Sequence, residues 1–176
     1  MVAGRPRCHD IRLGGDHDAA LDSESAAQLW SDFTAQHPEH SGAEHPFEQF
    51  GDSAELADEL LALVLHGPKR ATAGAVAEFH AEGQPLPRIG GHWIVADGSG
   101  QARAILRSVE LRLGPLVSVD DAFAWDEGEG DRSRDWWLDA HRSYFDRTCK
   151  PLGVAVTDKL EVVFERFVVV WPEAYA

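Results

Sequence analysis

The chain has 176 residues, 44% of them apolar and 26% charged, enough for one domain with a proper core and too few for two of ordinary size. Its formal net charge of -14 argues against a generic nucleic-acid coat protein, whose binding depends on neutralising phosphates. No apolar run approaches the roughly 18 residues that would span a bilayer, the first residues lack a signal-peptide core, and two cysteines, Cys8 and Cys149, make no disulfide framework. A cytoplasmic protein is the expectation.

The charge is uneven. Residues 1–60 hold three basic residues against thirteen acidic ones, whereas the rest of the chain is close to balance. A local basic cleft can therefore exist in the body despite the net acidity.

Residues 1–22 carry no apolar periodicity and read as a flexible acidic leader, with the folded domain over 23–176. Ala26, Leu29, Trp30 and Phe33 recur at helical spacing, with Ser23 or Ser25 as the cap, until Pro38 stops the helix. Residues 37–46 hold three histidines and two glutamates among Pro, Gly and Ser. Their spacing fits no standard metal pattern and predicts a solvated loop.

Asp52 and Glu55 suggest a capping box, and Leu56, Leu60, Leu63 and Val64 form one apolar stripe that Gly67-Pro68 must end. Residues 73–81 read as helical. Residues 92–96 and 102–113 read as strands joined by the turn Asp97-Gly98-Ser99-Gly100. Residues 160–171 make the strongest strand, and a helix runs from Ser133 to about Thr148. The pattern is α+β: a small barrel-like sheet surrounded by several helices.

Two stretches carry candidate chemistry. The first is Gly67-Pro68-Lys69-Arg70-Ala71-Thr72. A lone lysine on a loop is ordinarily a solvated charge. Here it follows a tight corner, has Arg70 beside it and Thr72 three residues on. If residues 69–72 begin a helix, open amides would join the lysine in binding an anion or a developing oxyanion. The second is Glu127-Gly128-Glu129-Gly130-Asp131-Arg132-Ser133. It reads either as an exposed acidic turn or as a turn whose glutamate folds back toward Lys69 as general acid or base. It lacks the ligand spacing of an EF-hand. Ser133 reads as a helix cap, while Arg132 and Arg134 are placed to bind phosphate at that helix start. His141 shares an apolar face with Trp137 and reads as a hydrogen-bonded core histidine. Trp125 or Trp136 is a candidate stacking platform. No cofactor or metal is called for.

Taken together, these segments resemble the ASCH family, a branch of the PUA-like β-barrels. The resemblance rests on residues 50–61, the Gly67-x-Lys69-x-x-Thr72-Ala73 corner, residues 127–133, Trp137-x-x-x-His141 and residues 163–167, and it spans about residues 26–172. It implies a cleft around the Gly-x-Lys-x-x-Thr segment suited to RNA or a modified nucleobase. Catalysis is implied for Lys69, Thr72, Glu129 and Ser133. Ligand contacts are expected from Gly67, Arg70, Glu127, Asp131 and Arg132.

Three functions follow as expectations. The first is hydrolysis of single-stranded RNA, carried by Lys69 and Ser133. The second is removal of the acetyl group from N4-acetylcytidine, with Thr72 as nucleophile, Lys69 as its activator and Glu129 as proton shuttle. The third is a non-catalytic RNA-binding module linked to translation. A hydrolase without cofactor, acting on single-stranded RNA or a modified nucleoside and needing no membrane, is the overall expectation. The chain departs from the family at Pro68, where a basic residue is common, and at Ile89-Gly90-Gly91, where an aspartate is expected. Pro68 weakens any grip on a long polyanion.

Overall fold

The structure, a computed structural model, describes residues 20–176. The proposed leader therefore lies almost wholly outside the described residues. Its last residue, Asp22, caps the first helix by accepting from the Glu24 and Ser25 amides, and its own amide donates to the Gly100 carbonyl. Asp22, not Ser23 or Ser25, is the cap.

The elements run α1 (Ser23–Gln36), β1 (Phe47–Gln49), α2 (Ala54–His66), β2 (Ala71–Ala75), α3 (Val76–Ala81), β3 (His92–Ala96), β4 (Ala102–Pro115), α4 (Asp121–Glu127), α5 (Arg134–Cys149) and β5 (Glu161–Trp171). The strands form one curled sheet in the order β1-β3-β4-β5-β2. Only β1 and β3 pair in parallel; the β2–β5, β3–β4 and β4–β5 pairs are antiparallel. β4 is long enough to pair with β3 at one end and β5 along the other, with register shifts that bend it. This is the α+β, half-barrel architecture that the alternation of strands and helices predicts.

Apolar patterning places the helices. α2 lays Leu60, Leu61 and Val64 against Trp93, Val95, Leu106 and Phe167 on one face of the sheet. α1 packs Ala26, Trp30 and Phe33 against Ile94 and Ile105 on the other. α4 and α5 cover Ala71, Val162 and Phe164 with Phe123, Trp137 and Phe145. Each group buries several large side chains, worth about 1.5–3 kcal/mol apiece.

Four expectations need correction. Residues 71–75 form a strand paired with β5, not the start of a helix; only Val76–Ala81 is helical. The small residues Ala71, Ala73 and Ala75 suit helix by propensity, but here they lie under the aromatics of α4 and α5, and packing overrides propensity. Ser53, not Asp52, caps α2 by accepting from the Leu56 amide, leaving Asp52 to pair with Arg147 at 2.7 Å. Glu127 ends helix α4 and does not belong to the turn that follows. The histidine loop is packed as well as looped: residues 38–40 form a short 3-10 turn, His45 stacks on Trp30 at 4.1 Å, and His40 lies 4.5 Å from His92.

Candidate active site

A cavity of about 990 Å³ opens on the sheet face beneath α2 and reaches the loop after α4. Lys69, Thr72, Glu127, Glu129, His141 and Glu165 line it.

Lys69 lies at the α2 exit and is only 1% exposed. Its ammonium donates to Glu129 Oε1 at 2.5 Å and sits 5.4 Å from the centre of the Phe50 ring. Burying a lysine is costly unless a partner compensates, and here two carboxylates share the task. Glu127, also 1% exposed, accepts a hydrogen bond from Trp137 Nε1 at 2.6 Å and faces His141 Nε2 at 3.3 Å through the same Oε2 atom. Burial works to raise the Glu127 carboxyl, but His141, Lys69 and the Trp137 N–H together hold it below the usual carboxylate range. Its Oε1 is buried with no hydrogen-bond partner.

One glycine brings the two stretches together. Gly128 terminates α4 at φ 73°, and a Cβ there would lie 2.8 Å from the Lys69 backbone nitrogen. Only glycine accepts both the left-handed backbone and the close approach. The Arg70 amide then donates to the Asp126 carbonyl at 2.7 Å, locking the corner onto the end of α4.

Thr72 projects from β2 opposite Glu165 of β5. Glu165 Oε1 accepts from Trp93 Nε1 at 3.1 Å and from Ser108 Oγ at 2.5 Å. Burial raises its carboxyl, with the Ser108 and Trp93 hydrogen bonds opposing the shift. Glu48 of β1 also lines the cavity. Burial pushes its carboxyl up to about 7, with the Glu165 and Glu82 charges adding to the effect.

The structure thus brings Lys69, Thr72, Glu127 and Glu129 to the cavity, with Trp136 and His141, and leaves Gly67, Arg70, Asp131, Arg132, Ser133 and Arg134 off its lining. The Ser133 hydroxyl accepts from the Trp136 amide and caps α5. Asp131 accepts from the Ser133 amide. Arg132, the one non-glycine residue with positive φ among those described, donates twice to the Trp125 carbonyl and stacks 3.7 Å from the Trp125 ring. Arg134 donates to the Val117 and Val119 carbonyls. Gly67 closes α2, and Arg70 donates to the Val64, Gly67 and Lys69 carbonyls. Open amides at the corner are absent as well, because the Lys69 and Arg70 amides are both taken by carbonyls.

Trp136 lines the cavity, as a stacking platform would, whereas the Trp125 ring carries Arg132. His141 is more than a core histidine: it stacks on Trp137 at 3.7 Å and lines the cavity. Glu48, Ser108 and Glu165 were missed. A single carboxylate on the inward register of the apolar β5 run was the available signal for Glu165. Glu48, in a three-residue strand, offered none. Among the described residues, no group of three or more His, Cys, Asp or Glu is arranged to hold a metal, and no helix is long and apolar enough to cross a membrane.

Comparisons with known proteins agree with this fold. A crystal structure of a protein from Enterococcus faecalis V583 is similar at TM-score 0.77 and 28% identity, covering 85% of this chain and 90% of that one. A crystal structure of an ASCH domain from Lactobacillus crispatus JV V101 is similar at TM-score 0.76 and 26% identity, covering 86% of this chain and 96% of that one. No curated protein matches the chain. The family model for the ASCH domain, a PUA-like RNA-binding fold family, matches residues 46–171, and with that span the chain belongs to the ASCH domain family.

Proposed function

We propose that the protein is an amidohydrolase that removes the acyl group from an N-acylated nucleoside of the N4-acetylcytidine kind. The observation that carries this reading is the burial of the Lys69 ammonium inside a carboxylate-lined cavity that Thr72 also lines. Such a site suits a small neutral amide. A polyanion would have to bring its phosphates past Glu44, Glu48, Glu127, Glu129 and Glu165, with Lys69 already paired.

The chemistry follows from the residue types. The Thr72 hydroxyl attacks the amide carbonyl carbon while Glu129 takes its proton. Lys69, held by Glu129, lowers the cost of ionising the hydroxyl and stabilises the developing oxyanion. The C–N bond then breaks, and the proton passes from Glu129 to the departing exocyclic nitrogen. Water next attacks the acyl-threonine ester, returning the hydroxyl to Thr72 and releasing the carboxylic acid. Glu127, with Oε2 tied to Trp137 and facing His141, holds a second negative charge near the Lys69 ammonium.

Cleavage of single-stranded RNA, the first expectation from sequence, has less support, because the Ser133 hydroxyl is engaged as the α5 cap outside the cavity. The test is acyl release from N-acetylated cytidine by wild type, Thr72→Val and Thr72→Ser. Thr72→Val should lose about 100-fold or more, and Thr72→Ser should retain measurable turnover, as loss of a nucleophile predicts. Equal rates for Thr72→Val and wild type would overturn the reading.

A further inference from the structure

One row of side chains crosses the sheet. Register puts Thr72 opposite Glu165, Ser108 opposite Phe167 two residues beyond Glu165, and Glu48 opposite Val95 two residues beyond Trp93. Paired residues share a face, and residues two apart on a strand share it too. So Thr72 (β2), Glu165 (β5), Ser108 (β4), Trp93 (β3) and Glu48 (β1) occupy the same face, one from each strand, and all line the cavity. Trp93 and Ser108 both donate to Glu165 Oε1, so that carboxylate is held in place and its Oε2 has no hydrogen-bond partner among the described residues. Glu48 has neither a hydrogen bond nor an ion pair among the described residues. Although two strands lie between theirs in the sheet, the Glu165 charge adds to the rise of the Glu48 carboxyl that burial causes, as the Glu82 charge does.

The cations that line this cavity do not neutralise the pair. Lys69 belongs to Glu129 and Arg147 to Asp52. Arg88 also lines the cavity and makes no ion pair with either glutamate. The cavity therefore has two unlike ends: one where a cation meets carboxylates, and one where the carboxylates Glu165 and Glu48 have no paired cation among the described residues.

We propose that Glu165 and Glu48 form an acceptor subsite for the hydroxyl groups of the ligand's sugar, and that this subsite excludes ligands carrying a phosphate. This rests on the nucleoside reading above and deepens it. Carboxylates are the usual acceptors for vicinal sugar hydroxyls, and a fixed carboxylate with one open oxygen is pre-organised for such donors. A phosphate brought to the same place meets the like charge of two carboxylates that no ion pair offsets.

Equilibrium binding of cytidine and of cytidine 5′-monophosphate to the full chain, by calorimetry, tests it without requiring turnover. Wild type should bind cytidine about tenfold or more tightly than the monophosphate, a gap of like-charge origin. Glu48→Gln and Glu165→Gln, both close in shape to the native residue, should each narrow that gap, and the gap should widen in wild type as pH rises through about 7 and Glu48 ionises. Equal affinity for the two ligands, a gap unchanged in both variants, or no binding of either ligand to wild type would each overturn the proposal. Deacylation of N-acetylated cytosine, which has no sugar, probes the Lys69 end alone. Failure there tells against the amidohydrolase, and failure in the binding experiment tells against the subsite.

Discussion

The two ends of the cavity solve opposite electrostatic problems. At one end Lys69 is buried and made tolerable by Glu129 and Glu127, and its charge offsets part of theirs. At the other, Glu48 and Glu165 carry like charge with no paired cation among the described residues, and burial raises both carboxyls. Compensated charge builds a site that can redistribute protons during a reaction, whereas uncompensated acceptors build one that selects what enters.

The largest way to disturb this contrast is Lys69→Ala. It leaves Glu127 and Glu129 as buried carboxylates without their ammonium, which should cost about 3–5 kcal/mol, as breaking a buried pair does. Denaturant unfolding would show it. Turnover should fall further than the stability loss alone explains. A stability unchanged within about 0.5 kcal/mol would mean that solvent, and not Glu129, compensates the lysine.

Glu48→Gln acts on the other end and in the opposite direction. A carboxyl raised from 4.5 to about 7 is protonated in the folded chain where the unfolded chain is already ionised. Its stabilising contribution is complete below the unfolded value and is lost as pH rises through about 7. The glutamine variant should therefore match wild type near pH 4 and be more stable by up to roughly 3 kcal/mol at pH 8, judged from the pKa difference. Thermal melts across that range check the sign, and a variant that is less stable at pH 8 would refute the burial argument.

Gly128→Ala tests the joint that holds the first end together. The added Cβ meets the Lys69 backbone and forces a left-handed conformation on a residue that disfavours it, which should cost about 1–3 kcal/mol. Turnover should fall with it, because the corner and the end of α4 no longer meet.

The smallest effect is expected from Ser133→Ala, about 1 kcal/mol of stability with activity retained, the behaviour of a helix cap. A large loss of activity would return Ser133 to the chemistry.

The two ends also differ in how far they could be read from sequence. Lys69, Thr72, Glu127 and Glu129 lie in two short runs with distinctive corners, so a local reading reached them. That same local reading also gathered Ser133, Asp131, Arg132 and Arg70, because closeness in sequence does not say which way a side chain points. In the structure the hydrogen bonds of those four residues close helices and turns. Glu48 and Glu165 are far apart in the chain and meet only through strand register and curl, which periodicity within one strand does not reveal. β2 was misread for a related reason: its alanines are chosen by the aromatics stacked above them, not by local propensity. The long strands and the amphipathic helices were legible because their burial pattern is written within each element.

The central claim, that the Lys69 end acts on a small neutral amide, is tested most directly by a side-by-side rate measurement. N-acetylated cytidine and single-stranded RNA are offered separately to wild type and Lys69→Ala across a range of salt. The account predicts acyl release by wild type that hardly changes with salt and is lost in the variant, with RNA left intact. Cleavage of the RNA, falling steeply as salt rises, together with no acyl release, would contradict it.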